Sequence, residues 1–268
     1  MTEADTIPPL APLVDSHCHL DFPDFAADLD AVLARARAAG VERMVTICTR
    51  LRHEPPVRAI AEAHAGVFHA VGTHPLSAAE EPMATVEDLV ALAAHPRCVG
   101  IGESGLDYHY SPASAETQRR SFRIHIEAAQ ETGLPLIVHA READADVERL
   151  LSEAHARRPF ACVMHCFSSG ERLARAAIEM GFYLSASGIA AFPRSESLRA
   201  IFAAAPLDRI LLETDAPYLA PPPVRERNEP AYVAHTARAL APLWGLTPEA
   251  FAKATTANFD RLFAKARP

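Results

Sequence analysis

Eight short, apolar, β-branched runs recur along the chain, each followed by a longer stretch rich in Ala, Leu, Glu and Arg. The runs cover residues 13–16, 43–48, 67–71, 98–102, 135–138, 161–165, 182–186 and 209–212. Helix-like stretches at 26–39, 54–64, 86–94, 115–132, 143–156, 171–180 and 195–204 separate them. Strands that alternate with helices indicate βαβ units and a parallel sheet, because parallel neighbours need a crossover between them. Eight such units favour a closed (β/α)8 TIM-type barrel over an open doubly wound sheet, and 268 residues suit one such domain. A Pro-rich loop at 220–229 and helical stretches at 230–240 and 248–264 follow the eighth strand.

Residues 1–12 read as a flexible N-terminal arm, acidic and Pro-rich, ahead of one barrel domain over 13–268. The arm lacks the basic start and apolar stretch of a signal peptide. No apolar run reaches the roughly 18 to 20 residues of a membrane span. Five scattered cysteines fit reduced thiols better than a disulfide framework, so a cytoplasmic protein is expected, without a membrane partner and as a monomer. A formal charge of −8 argues against coating long duplex nucleic acid, which needs clustered Lys and Arg. Nucleic-acid ends remain possible substrates, because bound metal ions can supply positive charge locally.

A barrel gathers its functional groups at the C-terminal ends of the strands. His17 and His19 follow the first run, Glu103 the fourth, His139 the fifth, His165 the sixth and Asp215 the eighth. Residues two apart on an extended segment share a face, so His17 and His19 can reach one cation while Cys18 points away. Imidazoles and carboxylates are ligands for Zn²⁺, Mn²⁺ or Fe²⁺, and a carboxylate-rich site also takes Mg²⁺. Four His, one Glu and one Asp suffice for two divalent metal ions if one carboxylate bridges them. Two such ions clamp the attacking and leaving oxygens of a displacement and activate a water for attack.

Several segments resemble the TatD-like metal-dependent hydrolases, described as deoxyribonucleases within the amidohydrolase superfamily. They are Asp15-Ser16-His17-Cys18-His19-Leu20-Asp21, Gly72-Thr73-His74-Pro75, Gly102-Glu103-Ser104-Gly105-Leu106-Asp107-Tyr108 and Pro135-Leu136-Ile137-Val138-His139-Ala140-Arg141. His165-Cys166-Phe167-Ser168, the run from Leu212 through Asp215 to Pro221, and Arg227-Asn228-Glu229-Pro230 complete the set in the family's order. The resemblance implies a barrel with one ion on His17, His19, Glu103 and Asp215 and another on Glu103, His139 and His165. Glu103 would bridge, and Asp215 would also accept the proton of the nucleophilic water. Arg141, two residues beyond His139, would grip phosphate bidentately, or else pair with Glu142. His74 would donate to a phosphate oxygen or be purely structural. Glu213 shares the face of Asp215 and is expected to brace the site from behind.

Gly100-Ile101-Gly102-Glu103-Ser104-Gly105 satisfies a G-x-G-x-x-G pattern, but residues 106–112 read as a loop rather than a helix, so no nucleotide cofactor is expected. The glycines would instead let backbone pass close to the metal site. The cysteines lack zinc-finger spacing, and packing is the reading for Cys18 and Cys166. Two stretches depart from the family pattern: Arg225-Glu226-Arg227, where Glu226 removes positive charge, and Ala191 in place of a Thr before Phe192. Both bear on substrate choice. The primary expectation is a metal-dependent phosphodiesterase acting exonucleolytically on DNA with single-stranded character. The alternatives are an esterase or deacylase, for instance on mischarged tRNA, and a non-catalytic binding barrel.

Overall fold

The strands are rich in Val, Ile, Leu, Ala and Cys because each is covered on both faces, as parallel strands in a barrel must be. The computed structural model describes residues 7–10 and 12–267. Its strands are β1 (Leu13–Cys18), β2 (Val41–Ile47), β3 (Val67–Val71), β4 (Cys98–Asp107), β5 (Leu136–Arg141), β6 (Cys162–Met164), β7 (Tyr183–Ala186) and β8 (Ile210–Leu212). Between them run α1 (Leu29–Ala38), α2 (Glu54–Ala63), α3 (Val86–Ala93), α4 (Ala115–Thr132), α5 (Asp144–Arg157), α6 (Glu171–Glu179) and α7 (Glu196–Ala204). Two further helices, α8 (Val233–Leu240) and α9 (Pro248–Leu262), end the chain.

Each strand pairs in parallel with the next, in the order β1 to β8. A parallel bridge between Cys18 and Ala216 joins the two ends of the sheet. Around it the His19 N–H donates to Ala216 O at 2.8 Å and the Asp215 N–H to His17 O at 2.9 Å. The fold is therefore the (β/α)8 barrel. One inner apolar cluster draws a residue from every strand, Val14, Val45, Ala70, Val99, Ile137, Val163, Tyr183 and Leu211 among them, and α9 adds Phe259 and Leu262. A larger cluster fills the layer between strands and helices, with Phe122, Phe182, Phe202 and Phe251 buried in it. No helix among the described residues is long and apolar enough to cross a membrane.

Residues 1–6 and Ala11 of the expected arm lie outside the described residues. Leu10 is buried, and its N–H donates to Ala39 O at 2.9 Å.

One expectation fails in a way that matters. Residues 106–112 do not all form a loop, because β4 continues through Glu103 and Gly105 to Asp107. Ser104, Gly105, Leu106 and Asp107 pair with Val138, His139, Ala140 and Arg141. The extension depends on how close β5 comes. A Cβ on Gly105 would stand 2.0 Å from His139 O, and its φ of +145° suits glycine alone. A Cβ on Gly102, at φ +130°, would stand 2.6 Å from Ile137 O. Glu103 and His139 therefore sit within paired strands rather than after them, which holds their side chains more rigidly than a loop could.

Candidate metal centre

The strand ends bring seven side chains to one buried point. Glu103, 2% exposed, lies at its middle. Its Oε2 is 3.4 Å from His17 Nε2. Its Oε1 lies 2.8 Å from His165 Nε2, 3.0 Å from His139 Nδ1 and 3.3 Å from His74 Nε2. Asp215 Oδ1 is 3.3 Å from His19 Nε2 and 3.6 Å from His17 Nε2. The closure of β8 onto β1 produces that last juxtaposition, since the backbones of His17 and Asp215 are themselves hydrogen-bonded.

Three sets of donors lie close enough to hold a metal ion: His17, His19 and Asp215; His17, Glu103 and His165; and His74, Glu103 and His139. All six residues expected to bind metal are in these sets, and His74 joins them. Asp215 adopts a left-handed φ of +56°, uncommon for a non-glycine residue and found where the surrounding structure enforces it.

The electrostatics call for positive charge at this point. Burial alone would raise the Glu103 carboxyl, but His165, His74 and His139 around it hold it well below its ordinary value. Burial likewise opposes ionisation of Asp215, yet His19, His17 and His165 pull it below the usual carboxylate range. Burial disfavours the charged form of His165, but Glu103 and Glu213 on either side outweigh it and raise the ring well above its ordinary value. His17 is pushed down by burial and by His165, whose ring stacks on it at 3.9 Å.

Both ring nitrogens of His17 and Nδ1 of His19 are buried without hydrogen-bond partners in the chain. A buried polar atom left unpaired costs free energy, so such atoms normally mark a ligand. Of these, His17 Nε2 faces carboxylate oxygens of Glu103 and Asp215, and an unpaired imidazole nitrogen among carboxylates is part of the donor set of a divalent cation, which these residues fit.

Outer residues orient the inner ones. Glu213 Oε1 lies 3.3 Å from His165 Nδ1 and accepts the Cys166 N–H at 2.6 Å, which leaves His165 Nε2 toward Glu103. Asp107 Oδ2 lies 3.3 Å from His139 Nε2, so that ring turns Nδ1 inward. Asp15 accepts the Thr214 N–H at 2.9 Å and the Thr214 hydroxyl at 2.5 Å, tying down the residue before Asp215. Burial pushes the Asp15 carboxyl up to about 8 despite those bonds. His125 on α4 accepts the Thr73 N–H at 3.0 Å, one residue before His74. Sequence reasoning named neither Asp107, Asp15 nor His125 as site residues. Alternation along a longer β4 would have put Asp107 on the face of Glu103; His125 has no local signal.

Arg141 is exposed at the end of β5, its guanidinium 4.7 Å above the Tyr110 ring. The alternative pairing with Glu142 is absent, because Glu142 bonds to His109 instead at 2.7 Å. Cys18 is buried with its thiol toward Val45 O, and Cys166 contacts Ser187 Oγ at 3.1 Å. Arg227 bonds to Asp28 at 2.9 Å and lies over Phe25, while Glu226 is exposed.

Residues 14–264 match the model of the family described as TatD related DNase. The chain belongs to that family. The family is one of metal-dependent hydrolases. The chain is 42% identical over 257 residues to YcfH of Escherichia coli strain K12, named an uncharacterised metal-dependent hydrolase, covering 94% of this chain and 95% of that one. It is 34% identical to the 3'-5' ssDNA/RNA exonuclease TatD of Citrobacter rodentium, over 94% and 97% of the two chains. Among solved structures, YjjV, a TatD homologue from Escherichia coli K12, superposes with a TM-score of 0.88 at 29% identity, covering 95% of this chain and 99% of that one.

Proposed function

We propose that this TatD-family hydrolase is an exonucleolytic phosphodiesterase acting on DNA with single-stranded character, through two divalent ions (Mg²⁺, Mn²⁺ or Zn²⁺). The observation that carries the reading is the placement of Glu103, whose Oε2 faces His17 while Oε1 faces His139 and His165. One carboxylate with an oxygen toward each group of imidazoles is what a bridge between two ions requires. His17, His19, Glu103 and Asp215 would hold one ion, and Glu103, His139 and His165 the other. The chemistry supplied by divalent ions in such a site is polarisation of a phosphoryl oxygen and acidification of water.

The chain's own groups do the rest. Asp215, 15% exposed at its side chain and held ionised by the histidines around it, accepts the proton of the attacking water. His74 Nε2, 3.3 Å from Glu103 and at the mouth of β3, donates to a phosphate or leaving-group oxygen. Arg141 offers two parallel N–H groups to a phosphate without a carboxylate to compete for them. Glu213 and Asp107 keep the His165 and His139 rings from turning.

The name of the Citrobacter rodentium relative, a single-strand DNA/RNA exonuclease, supports the substrate class. The test is degradation of end-labelled single-stranded DNA by protein stripped of metal and reloaded with Mg²⁺, Mn²⁺ or Zn²⁺. Wild type should shorten the strand, and Asp215→Ala should not. Inertness toward DNA alongside cleavage of aminoacyl-tRNA or simple esters would replace a phosphodiesterase by a deacylase.

A further inference from the structure

Two large hydrophobic side chains stand out in solvent among the described residues, Tyr110 at 63% exposure and Tyr218 at 54%. Both lie three residues beyond an aspartate of the site, and each donates its N–H back to that aspartate, Tyr110 to the side chain and Tyr218 to the backbone carbonyl. The Tyr110 N–H donates to Asp107 Oδ1 at 2.8 Å, and the Tyr218 N–H donates to Asp215 O at 3.0 Å. Tyr110 follows β4 and Tyr218 follows β8, strands four places apart in an eight-stranded barrel and so on opposite walls of its mouth.

Neighbouring groups support each ring. The Arg141 guanidinium lies 4.7 Å over the face of Tyr110, and the His109 ring meets its edge at 4.5 Å. Tyr218 stands edge-on to Phe22 at 6.1 Å and to His19 at 6.5 Å, and Phe22 stacks on His19 at 4.6 Å. Exposed aromatic rings beside a hydrolytic centre gain nothing from the fold, which leaves them unburied. A flat π-face beside a guanidinium is, however, how proteins hold unpaired nucleobases without regard to sequence. The net charge of −8 strengthens the argument. With positive charge supplied locally by bound ions and Arg141 rather than by a basic chain, stacking adds affinity along the strand beyond the reacting phosphate.

We propose that Tyr110 and Tyr218 are base-stacking platforms on opposite walls of the mouth, holding the nucleobases on the two sides of the reacting phosphate. This rests on the phosphodiesterase reading and adds the reason for single-strand preference: bases in a duplex are stacked on one another and have no face to offer. Tyr110 and Tyr218 are specificity residues and take no part in proton transfer.

The experiment has two arms on the metal-loaded protein. In the first, kcat and KM are measured on a single-stranded oligonucleotide and on one whose terminal nucleotides are abasic. Tyr110→Ala and Tyr218→Ala should each raise KM on the normal strand roughly 5- to 150-fold with little change in kcat. The Tyr→Phe variants should stay near wild type. On the abasic strand, wild type should already be weak and the Ala variants no weaker. The second arm follows the fluorescence of 2-aminopurine near either end of an oligonucleotide, which stacking quenches, independently of cleavage. Quenching lost in the Ala variants and kept in the Phe variants supports the platforms even if wild type cuts no DNA, an outcome that would sink the phosphodiesterase reading alone. Wild-type KM and quenching in both Ala variants, equal losses on the abasic strand, or no binding by wild type would each overturn the proposal.

Discussion

His125 links stability, pH and the site. The ring is fully buried on α4, where Nε2 accepts the Thr73 N–H at 3.0 Å and Nδ1 donates to Ser121 O at 2.8 Å. Only a neutral imidazole with its proton on Nδ1 can make both bonds. Burial lowers its pKa from 6.5 to about 4, against the opposing effect of the Ser121 bond. In the unfolded chain the ring titrates near its ordinary value. Between those two values the unfolded state binds the extra proton, so stability is complete above about pH 6.5 and is lost as pH falls toward 4. A tenfold change in proton affinity is worth about 1.4 kcal/mol, which makes the whole effect about 3 kcal/mol and the part lost by pH 5 about 2 kcal/mol. His125→Leu removes the titration and leaves the Thr73 N–H unpaired, at a cost of about 1–3 kcal/mol at pH 7.5. Urea unfolding of both proteins at pH 7.5 and pH 5 isolates the term, because groups common to both, such as the similarly depressed His69, cancel. The stability gap between wild type and variant should shrink by about 2 kcal/mol at the lower pH. A gap that stays constant would refute a buried neutral His125.

Three further perturbations test other parts of the structure. Asp107→Asn weakens the carboxylate that faces His139 Nε2 at 3.3 Å, and should lower metal affinity or hydrolysis about 10- to 100-fold at unchanged thermal stability of the metal-free protein; isothermal titration with Mn²⁺ and initial rates read this, and wild-type values for both would contradict it. Gly105→Ala drives a Cβ to 2.0 Å from His139 O in a conformation suited to glycine, and should cost about 3–5 kcal/mol in denaturant titration; a loss under about 1 kcal/mol would mean that β4 and β5 are not so close. Asp15→Ala strands the buried N–H and hydroxyl of Thr214 and should cost about 2–4 kcal/mol. Circular dichroism during unfolding decides that case, and a neutral result would show that Thr214 has another partner.

The barrel and the inner donors were legible because both follow from the βα repeat. Each strand contributes a short apolar run, and the metal-competent residues at its end can face the mouth. No one of His17, His19, Glu103, His139, His165 and Asp215 stands out alone, since Asp15 and Glu213 precede them at two strand ends, but as a set at five strand ends they do, and the folded chain brings them together. What the sequence hid depends on contacts between distant segments. β4 reads as ending near Gly102 because glycines interrupt its apolar pattern, yet those glycines are what admit β5 and carry the strand on to Asp107. That misplaced end concealed Asp107. His125 was hidden for another reason: its partner Thr73 is 52 positions away, and a histidine within a helix carries no mark of the loop it will hold. The pairing of Arg227 with Asp28 was hidden likewise, because the two lie 199 positions apart.

The central claim is that Glu103 bridges two ions. Mn²⁺ titration of metal-stripped protein, followed by equilibrium dialysis and electron paramagnetic resonance, tests it most directly. The account predicts two Mn²⁺ per chain with an exchange-coupled signal, and loss of that coupling, with the protein still folded, in Glu103→Gln. A single bound ion, or two that remain magnetically independent in wild type, would contradict it.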